Sequence, residues 1–200
     1  NWTAGAEVRV FAVDDNRAEA REQAVQVLAR AVSTDSSFAG VETSLGVTVV
    51  DDDVAGVVVA PLQVSVSEAG TTATFSVRLS SMPWSSVEVR ATGGSQVSAA
   101  PATLVFAAAN WAEAQQVTVA AVDDELDEQD VHEGVVQLTT ESEDDGYAGL
   151  LLPSVGASVT DDDSAAVTLS SGEVSVVEGG QVSYTVALTA APTGPVAVTV

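Results

Sequence analysis

Acidic side chains gather in a few dense clusters of this sequence. The 200 residues contain 29 acids, and 19 of these fall in clusters that recur along the chain. Adjacent carboxylates repel one another and raise each other's pKa unless a cation lies among them. Ca²⁺ takes about six to eight oxygen ligands in flexible geometry, whereas zinc and copper prefer the His and Cys that are scarce or missing here. The sequence therefore predicts calcium as the cofactor, and an acidic end cap that only solubilises the chain is the alternative.

The charge balance limits the partners of the chain. Only six basic residues, all arginine, accompany the 29 acids, so the formal net charge is -23. Nucleic acids and anionic membranes need clustered Lys and Arg to displace counterions, so we expect no nucleic acid partner. The longest apolar run, residues 54–62, is shorter than the roughly 18 residues of a membrane span, so we expect no direct membrane insertion. The chain has no cysteine, which excludes disulfides and thiolate metal sites.

The sequence repeats itself with the period of a whole domain. Asp14 and Glu68 return as Asp123 and Glu178, after 109 and 110 residues, and the segment GVTVVDDD ending at Asp53 returns as GASVTDDD. A period near 110 residues is too long for a solenoid turn and typical of a domain. We predict an internal fragment of a longer protein with three units: 1–53 is the C-terminal part of one repeat, 54–163 is a complete repeat, and 164–200 is the N-terminal part of the next.

Short alternating segments separated by Gly, Pro, Ser and Asp predict the fold of the complete unit. Seven strands in about 110 residues indicate an all-β fold, an immunoglobulin-like antiparallel β-sandwich. The predicted strands are residues 64–66, 74–79, 87–90, 103–106, 117–122, 135–138 and 157–159.

Residues 16–32 have the composition of a helix, rich in Ala, Glu, Gln and Arg. Their counterpart, residues 129–142, is rich in Val, Thr and Gly, and repeats should share a fold. We therefore predict a strand over 24–32, and a helical turn at 16–22 is the alternative.

The acidic motifs follow an order that excludes one calcium fold and resembles another. In the 12-residue window from Asp123, Glu128 stands where an EF-hand needs Gly, and Gly134 stands where it needs Glu. A Val-Ser-Val-x-Glu motif ends at Glu68, an Asp pair has a Glu five residues after its first Asp, and an Asp triplet ends at Asp163. This order resembles the Calx-beta domain, the calcium-binding sandwich of sodium/calcium exchangers, integrin β4 and many extracellular tandem-repeat proteins.

The resemblance implies that these motifs converge on calcium at one end of each sandwich. One carboxylate of the family pattern is absent, because residues 94–97 read Gly-Ser-Gln-Val where members with several ions carry an Asp-aromatic pair. The implied ligands of the complete unit are Glu68, Asp123, Asp124, a carbonyl near Leu126, Glu128, Glu133, Asp161, Asp162 and Asp163. Those of the first unit are Asp14, Asp15, Glu19, Glu22, Asp51, Asp52 and Asp53, and Glu178 begins the third set.

Five other residues have simpler interpretations. His132, the only histidine, has no Ser or Cys partner arrangement and is interpreted as a solvated loop residue. Trp2 and Trp111 repeat in phase at a strand start, which favours packing roles. Trp84 has no aromatic counterpart, so it is either incidental or packs against a neighbouring domain or subunit. Asn1 opens an Asn-Trp-Thr sequon and is a candidate glycosylation site.

The sequence-based hypothesis is a calcium-stiffened tandem array in an extracellular or cell-surface filament, stalk or adhesin. Its partners would be neighbouring repeats or copies of itself in a fibre, and surface protein or glycan. One alternative is a ligand-binding adhesion module that uses residues 82–86, and another is a regulatory calcium-sensing domain of a membrane transporter. We expect no enzyme, because the paired carboxylates belong to a motif duplicated in register.

Overall fold

The computed structural model describes residues 3–199, and every helix-or-strand element in that range is a β-strand. No helix in this range is long and apolar enough to cross a membrane. The strands are β1 (Glu22–Arg30), β2 (Glu42–Val50), β3 (Val57–Ala60), β4 (Gln63–Ser67), β5 (Thr72–Leu79), β6 (Val87–Gly93), β7 (Val97–Ala100), β8 (Thr103–Phe106), β9 (Gln115–Ala121), β10 (Val131–Ser142), β11 (Val155–Thr160), β12 (Val167–Leu169) and β13 (Val186–Leu188).

Nine of these strands form a two-sheet sandwich. One sheet has the order β4-β11-β10-β6-β8 and the other the order β3-β5-β9-β7. The two sheets share one core, whose buried residues all lie between Val59 and Val159. The predicted all-β sandwich is therefore confirmed.

One strand pair differs from the antiparallel expectation. β4 pairs with β11 in parallel, with Val66 opposite Val159, while the other pairs in both sheets are antiparallel. β4 lies near the start of the sandwich segment and β11 at its end, and both run toward the same end of the sandwich. The chain therefore leaves the sandwich at the end where β4 also stops.

The seven predicted strands are present because their side chains alternate between core and surface. In β5, Phe75, Val77 and Leu79 are buried while Arg78 is exposed, which is the period of two that a half-buried strand requires. The prediction missed β3 and β7, which have only four residues each. β3 reads as a continuous apolar run and β7 as a weak Val-Ser-Ala-Ala segment, so neither gives a clear alternating pattern.

The segment with helical composition is a strand. β1 begins and ends two residues before the predicted 24–32 strand, and it pairs with β2 along its whole length, from Glu22 opposite Val50 to Arg30 opposite Glu42. Residues 16–22 contain no helical turn, so the alternative is wrong. Pairing with β2 satisfies the backbone and overrides the helical propensity of the side chains. β12 and β13 form a second two-stranded sheet.

Two aromatic residues anchor loops to the sandwich. Tyr147 is buried, and its hydroxyl donates to the Ser81 carbonyl at 2.6 Å and lies 2.8 Å from the Ser81 hydroxyl. Trp111 is partly buried against the core, which agrees with its expected packing role. Trp2 lies outside the described residues.

The acidic loop of one predicted unit contacts the unit that follows it. The Met82 N–H donates to the Asn16 carbonyl at 2.6 Å, and the Ala191 N–H donates to the Glu125 carbonyl at 2.5 Å. Asn16 and Glu125 are 109 residues apart, and so are Met82 and Ala191. The same backbone contact thus occurs at both junctions. The boundaries of the three units stay a prediction.

Trp84 takes part in the first junction only. The Arg17 guanidinium carbon lies 4.1 Å from the centre of the Trp84 ring, and an Arg17 N–H donates to the Pro83 carbonyl at 3.1 Å. Trp84 is therefore packed against a residue of the preceding predicted unit, as one of the two interpretations held. The equivalent residues at the second junction are Leu126 and Thr193, which cannot form a cation–π contact.

Candidate metal centre

The sheet topology brings three acidic segments to one end of the sandwich. Because β4 and β11 are parallel neighbours, their C-terminal ends lie at the same edge, and β10, antiparallel to β11, begins there. Glu68 follows β4, Asp161 follows β11, and loop 122–130 leads into β10. The Glu68 N–H donates to the Thr160 carbonyl at 3.1 Å and ties the ends of β4 and β11 together.

Glu68 is the buried acid of this cluster. Its side chain is 1% exposed, and neither carboxylate oxygen has a hydrogen-bond partner within residues 3–199. Burial first, and then the interaction with Asp161, raises the pKa of Glu68 to about 7. Burying an ionised carboxylate without a partner is strongly unfavourable. This position therefore requires either a proton or a cation.

Asp161 holds two other acidic residues in place. Its Oδ1 accepts from the Asp163 N–H at 3.1 Å and its Oδ2 from the Glu128 N–H at 2.9 Å. The Asp163 bond first, and the Glu128 bond after it, lower the pKa of Asp161. Burial, and then the charges of Asp161 and Asp162, raise the pKa of Asp163. Carboxylate oxygens of Glu68, Asp161 and Asp163 lie within 4.8 Å of one another, so one cation can contact all three.

The loop before β10 adds two exposed acids beside this group. Asp123 and Asp124 lie close enough that their charges also raise the pKa of Asp163. Asp124 Oδ1 accepts from the Leu126 N–H at 2.8 Å, which curls the loop tightly after the Asp pair. Asp123, Asp124 and Leu126 thus lie at the end of the sandwich where the ligand set was predicted.

Four predicted ligands do not share this arrangement. Glu133 is exposed and follows His132 on β10, so it lies on the opposite face of the strand. Glu22 is exposed and precedes Gln23 on β1, so it lies apart from the first cluster for the same reason. Asp162 and Glu178 are also exposed, Asp162 between two partly buried Asp residues and Glu178 on a turn.

The first predicted unit has the same hydrogen-bonded skeleton. Asp51 Oδ2 accepts from the Glu19 N–H at 2.7 Å, and its Oδ1 accepts from the Asp53 N–H at 3.3 Å. Asp15 Oδ1 accepts from the Arg17 N–H at 2.8 Å, as Asp124 does in the complete unit. Equal local sequences therefore give equal local geometry.

The first cluster repeats the burial pattern of the second, with Asp51 and Asp53 partly buried and Asp52 exposed. Oxygens of Asp51, Asp52 and Asp53 lie within 4.8 Å of one another, and Asp14 and Asp15 line an open cleft beside them. Burial, and then the charges of Asp51, Asp52, Asp14 and Asp15, raise the pKa of Asp53. No acid of this cluster is as buried as Glu68 within the described residues.

The interpretation of His132 as a solvated loop residue is wrong. His132 lies in β10 with its side chain 12% exposed, and Nε2 is 3.2 Å from Glu128 Oε2 and 3.9 Å from Glu68 Oε1. The repeat contained a usable signal, because Gln23 occupies the same place four residues after Glu19 and bonds to it at 2.5 Å. Alignment of the two units would have placed His132 in the cluster.

Gln96 is a second residue that the sequence did not single out. Its amide nitrogen donates to both carboxylate oxygens of Glu128, at 2.9 and 2.8 Å. It lies in the segment where the family pattern has a carboxylate that this chain lacks. An amide donor therefore fixes Glu128 where another acid would repel it.

The cluster of the complete unit thus brings together carboxylate oxygens that differ in burial. Glu68, Asp161 and Asp163 could hold a cation on one side, and Glu68, Glu128 and His132 on the other. Hard oxygen ligands of this kind suit a divalent cation such as Ca²⁺. The individual ligand assignments stay a prediction.

Comparisons with known proteins give likenesses to solved structures. No protein-family model matches the chain, and no curated protein does. The apo-form Calx CBD1 domain is 17% identical with a TM-score of 0.41, covering 56% of this chain and 100% of that one. The calcium binding domain CBD12 of CALX1.1 is 17% identical with a TM-score of 0.38, covering 54% of this chain and 45% of that one. WR4, a C. elegans MSP family member, is 10% identical with a TM-score of 0.36, covering 52% of this chain and 96% of that one.

Proposed function

We propose that this chain is a calcium-stiffened segment of a tandem β-sandwich array in an extracellular filament, stalk or adhesin. The observation that carries the calcium proposal is the buried carboxylate of Glu68, whose oxygens have no hydrogen-bond partner by geometry within residues 3–199 and lie within reach of Asp161 and Asp163. A bound Ca²⁺ would neutralise this group and supply the partner that its oxygens lack. The motif order that resembles the Calx-beta domain supports the same cation.

Stiffening follows from the position of the acidic loops. Each loop that supplies predicted calcium ligands also accepts a backbone hydrogen bond from the next predicted unit. The acceptors are the Asn16 and Glu125 carbonyls. At the second junction the Ala165 N–H also donates to Asp127 Oδ2 at 2.9 Å. A cation that orders the loop therefore restricts the hinge, whereas repulsion among free carboxylates loosens it.

Thermal unfolding of the 200-residue chain with calcium and with chelator tests the metal. We expect a higher midpoint in calcium, because ligand bound only to the folded state stabilises it by about 2.7 kcal/mol at a hundred times Kd. Glu68→Gln is the matched variant, since it keeps the shape of the side chain and removes the charge. Equal midpoints with and without calcium would disprove the proposal.

Small-angle scattering of the same chain tests the stiffening. We expect a narrower distribution of end-to-end distances in calcium than in chelator, and a smaller difference in Glu68→Gln. If calcium binds without changing the distribution, the metal site would stand and the proposed stiffening would be wrong.

The extracellular array depends on the longer protein and on its location. A parent sequence with many further copies, and labelling of intact cells by an antibody against this chain, are the expected results. Membrane-spanning segments beside a pair of copies would favour the transporter sensor instead.

The adhesion alternative requires residues 82–86 to contact a ligand, but this loop is already bonded within the protein. The Met82 and Trp84 N–H groups bond within the protein, to the Asn16 carbonyl and to Asp144 Oδ2 at 2.7 Å. Trp84 is 61% exposed, but Arg17 lies over its ring. Loss of binding to a surface glycan or protein on Trp84→Ala would restore this alternative.

A further inference from the structure

His132 adds a nitrogen ligand to one face of the acidic cluster. Nε2 lies 3.2 Å from Glu128 Oε2 and 3.9 Å from Glu68 Oε1. It is buried without a hydrogen-bond partner among residues 3–199, as are both oxygens of Glu68. Ligand atoms of buried Glu68, partly buried His132 and exposed Glu128 lie within 4.8 Å of one another, and the Glu68 side chain is 1% exposed.

The imidazole is oriented by its other nitrogen. Nδ1 lies 3.5 Å from the Gln129 carbonyl, which can only accept a hydrogen bond. With its proton on Nδ1, the imidazole would present the lone pair of Nε2 to a metal beside the two glutamates. A carbonyl that accepts from the other ring nitrogen favours this tautomer in histidines that ligate metals.

Glu128 is held in place from two sides. Its backbone N–H is fixed by Asp161 at 2.9 Å, and its carboxylate is fixed by the Gln96 amide. An oriented carboxylate with one oxygen toward His132 loses little freedom when it becomes a ligand. The site is therefore preorganised on its glutamate and on its imidazole.

We propose that His132, Glu128 and Glu68 form a site for a borderline divalent transition metal, with Zn²⁺ as the representative case. Zinc binds imidazole nitrogen and carboxylate oxygen at about 2.0 to 2.2 Å, so two of its tetrahedral ligands lie about 3.4 Å apart. The 3.2 Å separation of Nε2 from Glu128 is close to this value, and the 3.9 Å separation from Glu68 exceeds it by about half an ångström. All three ligand atoms lie within 4.8 Å of one another, so the glutamate side chains move inward to bind one ion. Water would complete the coordination, as in zinc sites that have three protein ligands.

This site goes beyond the calcium proposal and shares Glu68 with it. A transition metal uses the imidazole, which calcium does not favour, whereas calcium uses Asp161 and Asp163. The two metals therefore compete through Glu68 but differ in their dependence on His132. That difference allows each proposal to fail separately.

The first cluster provides a natural comparison. Gln23 takes the place of His132 and donates its amide to Glu19. An amide N–H group is a donor and offers no nitrogen lone pair to a metal. His132→Gln therefore converts the complete unit to a side chain that the chain already carries at the equivalent position.

The first experiment is a calorimetric titration of the 200-residue chain with ZnCl₂, in the wild type and in His132→Gln. We expect one saturable site in the wild type and at least a tenfold loss of zinc affinity in the variant. The calcium-induced shift of the unfolding midpoint should survive in His132→Gln. No saturable zinc binding in the wild type, or equal zinc affinity in the folded variant, would overturn the proposal.

A second measurement needs no variant, because His132 is the only histidine of the sequence. Nitrogen NMR of the single imidazole should show a zinc-dependent shift at Nε2 and a retained proton on Nδ1. Calcium should leave Nε2 without the shift expected of a ligating nitrogen. Zinc binding with an unchanged imidazole spectrum would place the metal elsewhere and disprove the site, while absent calcium binding would count against the proposed function alone.

Discussion

The two acidic clusters of this chain share their hydrogen bonds and differ in what surrounds them. Asp51 and Asp161 each accept one backbone N–H from the preceding acidic loop and one from the last residue of their own Asp triplet. The complete unit also includes β4, which leads directly into the buried Glu68 and has no counterpart within residues 1–53, and it has a histidine in the place of Gln23. Local sequence therefore fixes the skeleton of the cluster, and the strand that leads into Glu68 supplies its buried carboxylate.

The difference also changes the energetic role of the acids. In the first cluster, no described carboxylate is more than partly buried, so water screens their repulsion. In the complete unit, Glu68 is removed from water beside Asp161, so its ionised form is unfavourable without a cation. We expect changes in the complete unit to affect stability strongly and the equivalent changes in the first unit to affect it weakly.

The largest expected effect is that of Asp161→Ala compared with Asp51→Ala. Asp161 accepts two backbone hydrogen bonds and lies beside buried Glu68, so we expect a clear loss of unfolding free energy in calcium. Asp51→Ala should change the cooperative transition by less than about 0.5 kcal/mol, since it lies outside the sandwich core. Urea unfolding followed by circular dichroism measures both. Equal effects would contradict the proposed difference between the clusters.

A pH titration of stability tests the buried acid directly. The pKa of Glu68 is about 7 in the folded protein, above its ordinary value of 4.5, so the folded state binds the extra proton between these values. In chelator, this group therefore makes stability fall as pH rises from about 4.5 to 7, by about 1–3 kcal/mol. In Glu68→Gln this component should be absent. Identical pH profiles would show that the carboxylate is solvated.

Tyr147 and Phe38 occupy equivalent positions and allow a smaller test. Tyr147→Phe removes the hydroxyl that bonds to buried Ser81, so we expect a loss of about 1–2 kcal/mol. Phe38 is 60% exposed, so Phe38→Tyr should have no measurable effect. Thermal and urea unfolding of both variants measure the difference. A neutral Tyr147→Phe would mean that water replaces the hydroxyl.

The smallest expected effect concerns the two junctions. Arg17→Leu with Trp84→Thr gives the first junction the residue types of the second. An exposed cation–π contact contributes about 0.5–1 kcal/mol, so exchange of the Met82 amide hydrogen should accelerate about two- to fivefold. The Ala191 amide hydrogen is the internal reference. Unchanged exchange at Met82 would show that the backbone contact alone holds the junction.

Several features were predictable because they are local. The alternation of Val, Phe and Leu in β5 and β9 gave the strands, and the order of the acids gave the calcium hypothesis. β3 and β7 were missed because four residues give too short a pattern. β1 was recovered only by comparison with its counterpart in the repeat, since its own composition favours a helix.

The acidic clusters could be recognised from the sequence, whereas the arrangement of their side chains in space could not. Glu133 and Glu22 were included because they lie near the acidic motifs in sequence, but strand alternation directs them away from the clusters. His132 was misassigned because it follows the acidic loop in sequence and has no Ser or Cys partner there, whereas its neighbours in space are Glu68 and Glu128.

The sequence by itself determined the β fold, the domain-length repeat and the oxygen-rich clusters, because periodicity and residue type are properties of short segments. The tertiary structure decided which acid is buried. Parallel pairing of β4 with β11 places Glu68 against Asp161, almost a hundred residues away in the chain. Burial depends on all the strands that exclude water from a group, so the raised pKa of Glu68 and the imidazole beside it arise only after the sheets have packed.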